Sequence, residues 1–183
     1  MGVEPEIHVW TVGHSTRSAE EFVNLLLENE IETLVDVRSY PSSRRLPHFN
    51  RESLSTFLNQ NGIRYQHTPR LGGRRKPNPN SKNIAWNNES FRAYADYMET
   101  EEFDAGVREL LEVARVKRTA IMCAEALWWR CHRSLISDYL KSIGIAVTHI
   151  LGPGKTEPHR YTSAASIVAG ELSYKGLLTV LDS

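Results

Sequence analysis

Short apolar runs alternate with longer amphipathic segments along most of the chain, and this alternation restricts the fold more than any other feature. The run at 119–123, Thr-Ala-Ile-Met-Cys, carries no charge, as is typical of a strand buried on both faces of a sheet. Strands that alternate with helices favour a parallel sheet with right-handed crossovers. Five strands are predicted, at residues 8–13, 33–37, 63–67, 119–123 and 145–150.

The segments between the runs carry helix-start signals. Ser18 with Glu21 three residues later forms a capping box, and Asn50 is predicted to cap a second helix. We therefore predict a single three-layer α/β domain over residues 1–154, with an open, mostly parallel sheet of about five strands flanked by helices. Residues 155–183 are predicted to form a C-terminal tail that is packed or partly disordered.

Composition excludes several classes of protein. The 183 residues include two cysteines, too few for a disulfide framework, and the apolar runs are far shorter than the roughly 20 residues that span a bilayer. Residues 1–6 contain two acids and no apolar stretch, so no secretory signal is predicted. We therefore expect a cytoplasmic protein with no membrane partner.

The formal net charge is zero, with 22 basic and 22 acidic residues, but the charge is unevenly distributed. From Arg38 to Lys82 there are ten basic residues and one acid, Glu52, so this quarter carries +9 and the rest −9. The excess indicates either a solvated basic face or a surface that recognises phosphates. Rings that could stack on nucleic-acid bases accompany this stretch: His48, Phe49, Tyr65 and Trp86.

Unusual polar residues follow the predicted strands at their carboxyl ends, where open α/β sheets bind ligands. His14 and Ser15 come after the first strand, and Asp36 and Arg38 lie at the end of the second. Because parallel strands end at one edge of the sheet, these side chains are expected to converge on one rim. The later strands are followed by residues 70–73, Cys123, Glu125, Cys131, His132, Arg133 and residues 152–155.

Four short motifs occur in order along these strand ends. They are Thr11-Val12-Gly13-His14-Ser15, Val35-Asp36-Val37-Arg38 with Pro41 and Ser43, Leu71-Gly72-Gly73, and Cys123-x-Glu125-x5-Cys131-His132-Arg133. Over about residues 8–150 the chain resembles the bacterial and archaeal family called domain of unknown function 488. The resemblance implies a small prokaryotic α/β domain and supplies no established activity.

The segment from Cys123 to Arg133 has several interpretations. Cys123 to Arg130 is C-x6-R, one residue longer than the anion-binding loop of cysteine phosphatases and rhodaneses, and its side chains are bulkier. Cys131, His132 and Arg133 are instead predicted to open the next helix, whose free N–H groups attract anions and lower the pKa of a thiol. Otherwise Cys131 is a small buried hydrophobe and Arg133 an ion-pair partner.

A zinc site is a further alternative, since four residues offer ligands of suitable chemistry: Cys123, Cys131, His132 and His14. The chain has no C-x2-C or H-x3-H pair, and adjacent Cys and His ligands are geometrically awkward. We therefore predict no metal and no cofactor.

Glu125 and Asp36 are the candidates for acid or base catalysis, with His14 assisting. A carboxylate directly after a buried strand is costly to place unless it is paired or used. Two carboxylates on one rim supply a general acid and a general base. The alternative is that both are structural ion-pair partners of rim arginines such as Arg38 and Arg133.

These observations predict a hydrolase-type enzyme that cleaves a glycosidic or phosphoester bond in a phosphate-bearing substrate, such as a nucleotide or nucleic acid. Its predicted catalytic residues are Glu125, Asp36 and His14. The alternative is a non-catalytic nucleic-acid-binding module with a basic loop surface. The predicted anion- and substrate-binding residues are Ser15, Arg38, Gly72, Gly73, Arg74, Cys131, His132 and Arg133.

Overall fold

A computed structural model describes residues 6–176, and residues 1–5 and 177–183 lie outside the described residues, together with the predictions made for them. The strands are β1 (His8–Gly13), β2 (Thr33–Asp36), β3 (Arg64–His67), β4 (Thr119–Cys123), β5 (Ala146–Gly152), β6 (Lys155–Pro158), β7 (Ser166–Val168) and β8 (Glu171–Ser173). The helices are α1 (Ala19–Glu28), α2 (Arg51–Gln60), α3 (Glu89–Tyr97), α4 (Glu101–Ala114) and α5 (Arg133–Ser142).

The central sheet of the described part has six strands in the order β3-β2-β4-β1-β5-β6. The first five are parallel, and β6 pairs antiparallel with β5 at one edge. The predicted open, mostly parallel α/β sheet is confirmed, with one strand more than the five expected. The sequence of β6, Lys-Thr-Glu-Pro, has no apolar pattern that could have predicted a strand. A separate two-stranded ribbon of β7 and β8 follows.

Residues of each central strand alternate between two apolar cores, one on each face of the sheet. On β4, Ala120 and Met122 belong to the core that α1 and α2 cover. Ile121 and Cys123 belong to the opposite core, which α3, α4 and α5 cover. This arrangement makes the three layers that the sequence predicts.

Two predicted helix starts have different outcomes. The capping box is confirmed, because the Ser18 hydroxyl accepts from the Glu21 N–H and the Glu21 carboxylate accepts from the Ser18 N–H at 2.8 Å. Asn50 occupies the N-cap position of α2, but its side chain makes no capping bond there. Its amide oxygen instead accepts from the Ser43 N–H and holds the loop that precedes α2.

The described part of the predicted tail, residues 155–176, packs against the rest of the domain. It supplies β6 to the sheet, and the hydroxyl of buried Tyr174 donates to Asp138 at 2.8 Å. None of the helices within residues 6–176 is long and apolar enough to span a membrane.

A chain of hydrogen bonds that passes through β1 and β5 joins two buried charges of α5. Arg133, in the first turn of α5, donates to Thr11 Oγ1 at 3.2 Å, and Thr11 Oγ1 lies 2.6 Å from His149 Nδ1. His149 Nε2 lies 2.9 Å from His159 Nδ1, and His159 Nε2 lies 2.8 Å from Asp138 Oδ1. Every contact is satisfied when both imidazoles are neutral and each donates toward Asp138.

Acidification is expected to destabilise the fold through His149. Burial, with smaller contributions from His159 and Arg133, lowers the pKa of His149 to about 2, whereas an unfolded histidine titrates near 6.5. The unfolded chain therefore binds the extra proton first, and stability that is complete above the unfolded pKa is lost as the pH falls below it. This group should cost about 2 kcal/mol of unfolding free energy between pH 7 and pH 5, measurable by urea unfolding.

The matched variant is His149→Gln, which removes the titrating group. It should be less stable than the wild type at pH 7. Between pH 7 and pH 5, however, its unfolding free energy should fall by about 2 kcal/mol less than that of the wild type. An equal loss in both proteins would show that His149 is not the group responsible.

Candidate functional site

A cleft of about 820 Å³ opens at the carboxyl ends of β1, β2 and β4. It forms because β1 leads to α1 on one face of the sheet, whereas its neighbour β4 leads to α5 on the other face, so that their loops separate. Open α/β sheets bind ligands at such a switch point, and the volume suits a small molecule. Eight predicted site residues line the cleft: His14, Ser15, Arg38, Gly73, Arg74, Glu125, Cys131 and His132.

The turn after β1 is pressed against the loop after β4. The backbone N–H groups of His14 and Ser15 donate to carbonyl groups at the end of β4, each at 3.0 Å. A Cβ on Gly13 would lie 1.9 Å from the Glu125 carbonyl oxygen, so only glycine fits this approach. Ser15 has a φ of 51°, a left-handed conformation that is strained for a residue with a side chain. The turn therefore fixes the loop that carries Glu125.

Asp36 is fully buried and committed to other side chains. Its oxygens accept from Arg38 Nε at 2.9 Å and Arg38 Nη2 at 2.7 Å, and Oδ2 also accepts from the Tyr65 hydroxyl at 2.6 Å. Burial lowers the pKa of Arg38, but the hydrogen bonds and charge of Asp36 outweigh it and raise that pKa overall. Asp36 does not line the cleft, and its contacts orient Arg38, which does.

His14 is held neutral between the backbone and Arg38. Its Nδ1 donates to the Ser15 carbonyl at 2.8 Å, which leaves Nε2 to accept from Arg38 Nη1 at 3.4 Å. The imidazole stacks on Phe49 with ring centroids 4.1 Å apart. Burial is the main cause that lowers the pKa of His14 to about 4. So weak a base is better suited to orienting Arg38 than to proton transfer near neutral pH.

Arg133 and Gly72, both predicted to bind substrate, lie outside the lining of the cleft. The Arg133 guanidinium is in the core, where it donates to Thr11 and to carbonyl oxygens of the loop that carries Glu125. Its Nε has no hydrogen-bond partner within residues 6–176. A Cβ on Gly72 would lie 2.5 Å from Ser39 Oγ, so Gly72 allows two loops to pack closely. The structure thus gives both residues a role in loop packing.

Both cysteines are free thiols that line the cleft beside His132. Cys131 Sγ lies 3.5 Å from His132 Nδ1, and the two sulfurs and a ring nitrogen of His132 all lie within 4.8 Å of one another. His132 Nε2 donates to the Val37 carbonyl at 3.0 Å, so Nδ1 keeps a lone pair. The fold therefore brings Cys123, at the end of β4, close to Cys131 and His132, which directly precede α5.

The two thiols differ in acidity. Burial alone would raise the pKa of Cys131, but the Cys123 thiol and the charge of Arg133 lower it to about 7. The pKa of Cys123 is well above its ordinary value because of its hydrogen bond with Cys131 and because it is buried. The Arg133 N–H, at the start of α5, lies 3.5 Å from Cys131 Sγ. Cys131 is therefore the more acidic of the two thiols.

Exposed charges at the mouth of the cleft come from Glu125, Arg74 and Arg130. Glu125 Oε1 accepts from the Leu127 N–H at 3.2 Å, which holds the carboxylate at the loop surface. The Arg74 guanidinium lies 5.5 Å from the ring centre of Tyr40, whose side chain is 69% exposed. Sequence reasoning missed Arg130 and Tyr40 as site residues, although both lie in strand-end loops that it had selected.

The rings expected to stack on bases do not line the cleft. Phe49 is buried in the core, Tyr65 is bonded to Asp36, and Trp86 packs against Phe91. His48, the fourth, packs against Phe49. Two rings that do line the cleft are those of Tyr40 and Phe91.

Part of the basic segment is neutralised or covered within the domain. Arg70 forms salt bridges with Glu102 and Glu109 of α4. The Arg75 guanidinium lies 3.4 Å from the ring centre of Tyr97 and donates to loop carbonyls. The +9 of this segment therefore overstates the positive charge that its loops can offer a ligand.

Gly13→Ala is expected to destabilise the protein by about 3 kcal/mol or more, since the new methyl group meets a backbone carbonyl of the Glu125 loop. Gly152→Ala is the matched control at the end of β5, where an added Cβ meets nothing within 4 Å. Urea unfolding measures both variants. Equal stability of the two would contradict the close approach at Gly13.

A family model described as domain of unknown function DUF488 matches residues 18–140, two-thirds of the chain. The match includes the loops that supply Arg38, Gly73, Glu125 and Cys131 to the cleft. No curated protein and no solved structure matches the chain. The matched residues contain three of the four sequence motifs, and the first, Thr11–Ser15, lies before them. The family resemblance is confirmed, and the chain belongs to the family described as domain of unknown function DUF488.

Proposed function

We propose that the protein is a hydrolase-type enzyme that cleaves a phosphoester bond of a substrate such as a nucleotide, bound in the cleft. The observation that carries this proposal is the charge of the lining, in which the exposed side chains of Arg74 and Arg130 stand against one carboxylate, Glu125, while Arg38 is paired with buried Asp36. With His14 neutral, the exposed charged side chains sum to a positive site. Guanidinium groups bind phosphate oxygens by charge-assisted hydrogen bonds.

The remaining lining suits the other parts of a nucleotide. The hydroxyls of Ser39, Ser42 and Ser43 offer further donors for phosphate or sugar oxygens. The exposed ring of Tyr40, with Arg74 over it, offers a surface on which a base can stack. A cleft of about 820 Å³ has room for both parts of such a ligand.

A phosphoester bond is favoured over a glycosidic one by the number of available carboxylates. Most glycosidases use two carboxyl groups, one on each side of the scissile bond. Asp36 is committed to Arg38 and Tyr65, which leaves Glu125 as the one carboxylate among the described residues of the lining. In this proposal Glu125 is the general base or acid, and Asp36 and His14 are positioning residues for Arg38.

Glu125→Gln should lower turnover of p-nitrophenyl phosphate or bis(p-nitrophenyl) phosphate on the order of 100-fold or more, because one proton-transfer group is removed. Affinity for adenosine monophosphate should change little, since the amide keeps the shape of the side chain. Glu112→Gln, an exposed change on α4, is the control. Turnover of the Glu125 variant equal to that of the control would overturn the proposed role.

Arg74→Ala and Arg130→Ala should each weaken binding of adenosine monophosphate about tenfold, the usual loss of one charge-assisted hydrogen bond. Arg115→Ala is the matched control, because this exposed arginine follows α4 at the opposite end of the sheet. Isothermal titration at fixed ionic strength measures all three variants. If all three variants bound adenosine monophosphate equally well, the positive charge of the cleft would no longer support the proposed function.

A non-catalytic nucleic-acid-binding module is the second candidate. It is supported by the exposed side chains of Arg44, Arg45 and Lys76, which lie in the two loops that border the cleft. In that case a single-stranded oligonucleotide should bind without being hydrolysed. Each arginine replaced by alanine should reduce the slope of log affinity against log salt by about 1. Hydrolysis that depends on Glu125 would decide against this candidate.

A further inference from the structure

We propose that Cys123, Cys131 and His132 bind a zinc ion whose fourth coordination position faces the cleft. Because the spacing of these residues is irregular, their sequence alone argues against a metal site. The fold brings the three together where the end of β4 meets the start of α5. This inference goes beyond the proposed phosphoester chemistry and does not depend on it, since metal binding alone tests it.

The separation of the donor atoms agrees with a shared metal ion. Two ligands of one tetrahedral zinc, a sulfur at about 2.3 Å and a nitrogen at about 2.0 Å, lie about 3.5 Å apart. Cys131 Sγ and His132 Nδ1 are separated by 3.5 Å. The Cys123 sulfur completes a set in which all three donor atoms lie within 4.8 Å of one another. Small side-chain rotations are therefore enough to form the site.

The surroundings of His132 orient it as a ligand. Its Nε2–H donates to the Val37 carbonyl at 3.0 Å, and such a bond fixes the tautomer in metal-binding histidines and leaves the other nitrogen free. Gly73 lies against the imidazole, since a Cβ there would come within 2.6 Å of Nδ1 and 2.8 Å of Cγ. The backbone of Gly73 thus holds the ring in place, so the ligand is positioned before a metal arrives.

The start of α5 favours the thiolate form that a metal ligand requires. The Arg133 N–H lies 3.5 Å from Cys131 Sγ, and N–H groups at a helix start stabilise negative charge on sulfur. Two thiolates also neutralise the charge of a divalent ion in this buried position. Arg133 itself directs its guanidinium to Thr11 and to loop carbonyls.

The donor set selects zinc over harder cations. Magnesium and calcium prefer oxygen ligands, whereas two thiolates and an imidazole suit zinc. Three protein ligands with one open position are typical of catalytic zinc sites, while structural sites use four. All three residues line the cleft, so the open position would accept a water or an oxygen of the substrate beside Arg38 and Glu125.

Metal uptake by the whole purified chain tests the proposal. Reduced protein stripped with a chelator should take up about one Zn²⁺ or Co²⁺ per chain, with thiolate-to-cobalt charge-transfer absorption and visible bands of tetrahedral cobalt. Cys131→Ser and His132→Asn should weaken binding on the order of 100-fold or more. His8→Asn, at the opposite end of β1, is the control and should bind as the wild type does. No uptake, or equal uptake by wild type and Cys131→Ser, would overturn the zinc site.

A second measurement needs no variant and therefore does not depend on whether the variants fold. Alkylation by iodoacetamide, followed by mass spectrometry, should label both cysteines more slowly when one equivalent of Zn²⁺ is present. Labelling that goes to completion without zinc and is equally fast with it would overturn the proposal, as would a Cys123–Cys131 disulfide whose reduction produces no metal uptake. Zinc uptake without turnover of phosphoesters would overturn only the proposed function and leave the zinc site standing.

Discussion

The burial of Arg133 is the constraint on which the sheet and the cleft both depend. A buried guanidinium is stable only where acceptors surround it, and removing one partner leaves an uncompensated charge. Its acceptors come from β1 and from the loop that carries Glu125, and the chain through His149 and His159 connects it to Asp138. These bonds fix β1 and the loop after β4 relative to the start of α5, which carries both Arg133 and Asp138.

The polar groups in the cleft and directly beneath it fall into two sets according to their depth. Asp36 and His14 lie close to the strand ends, where burial requires that their polar atoms be satisfied by the protein itself. Glu125, Arg74 and Arg130 lie farther out on loops and remain exposed. The deep set determines the shape of the cleft, and the outer set carries the charge that a ligand would meet.

Periodicity in the sequence was sufficient for all five parallel strands and the three layers, and eight of the eleven site residues predicted from strand ends line the cleft. It could not separate Asp36 from Glu125, because both lie at the end of a strand and only the packing of β3 beside β2 brings Tyr65 to Asp36. The meeting of Cys123 with Cys131 depends on the path of the loop between them. The sequence did not predict β6, because this mostly exposed edge strand is held by backbone hydrogen bonds to β5 and has no apolar pattern.

β1 is the first strand of the chain but lies in the middle of the sheet, between β4 and β5. Its partners begin at Thr119 and Ala146, so each pairing spans more than 100 residues. During synthesis this apolar strand must wait unpaired until most of the domain has been made, and pairings of such long range form slowly. The cleft between β1 and β4 is therefore completed late, and a nascent chain has no ligand site until β4 has joined it.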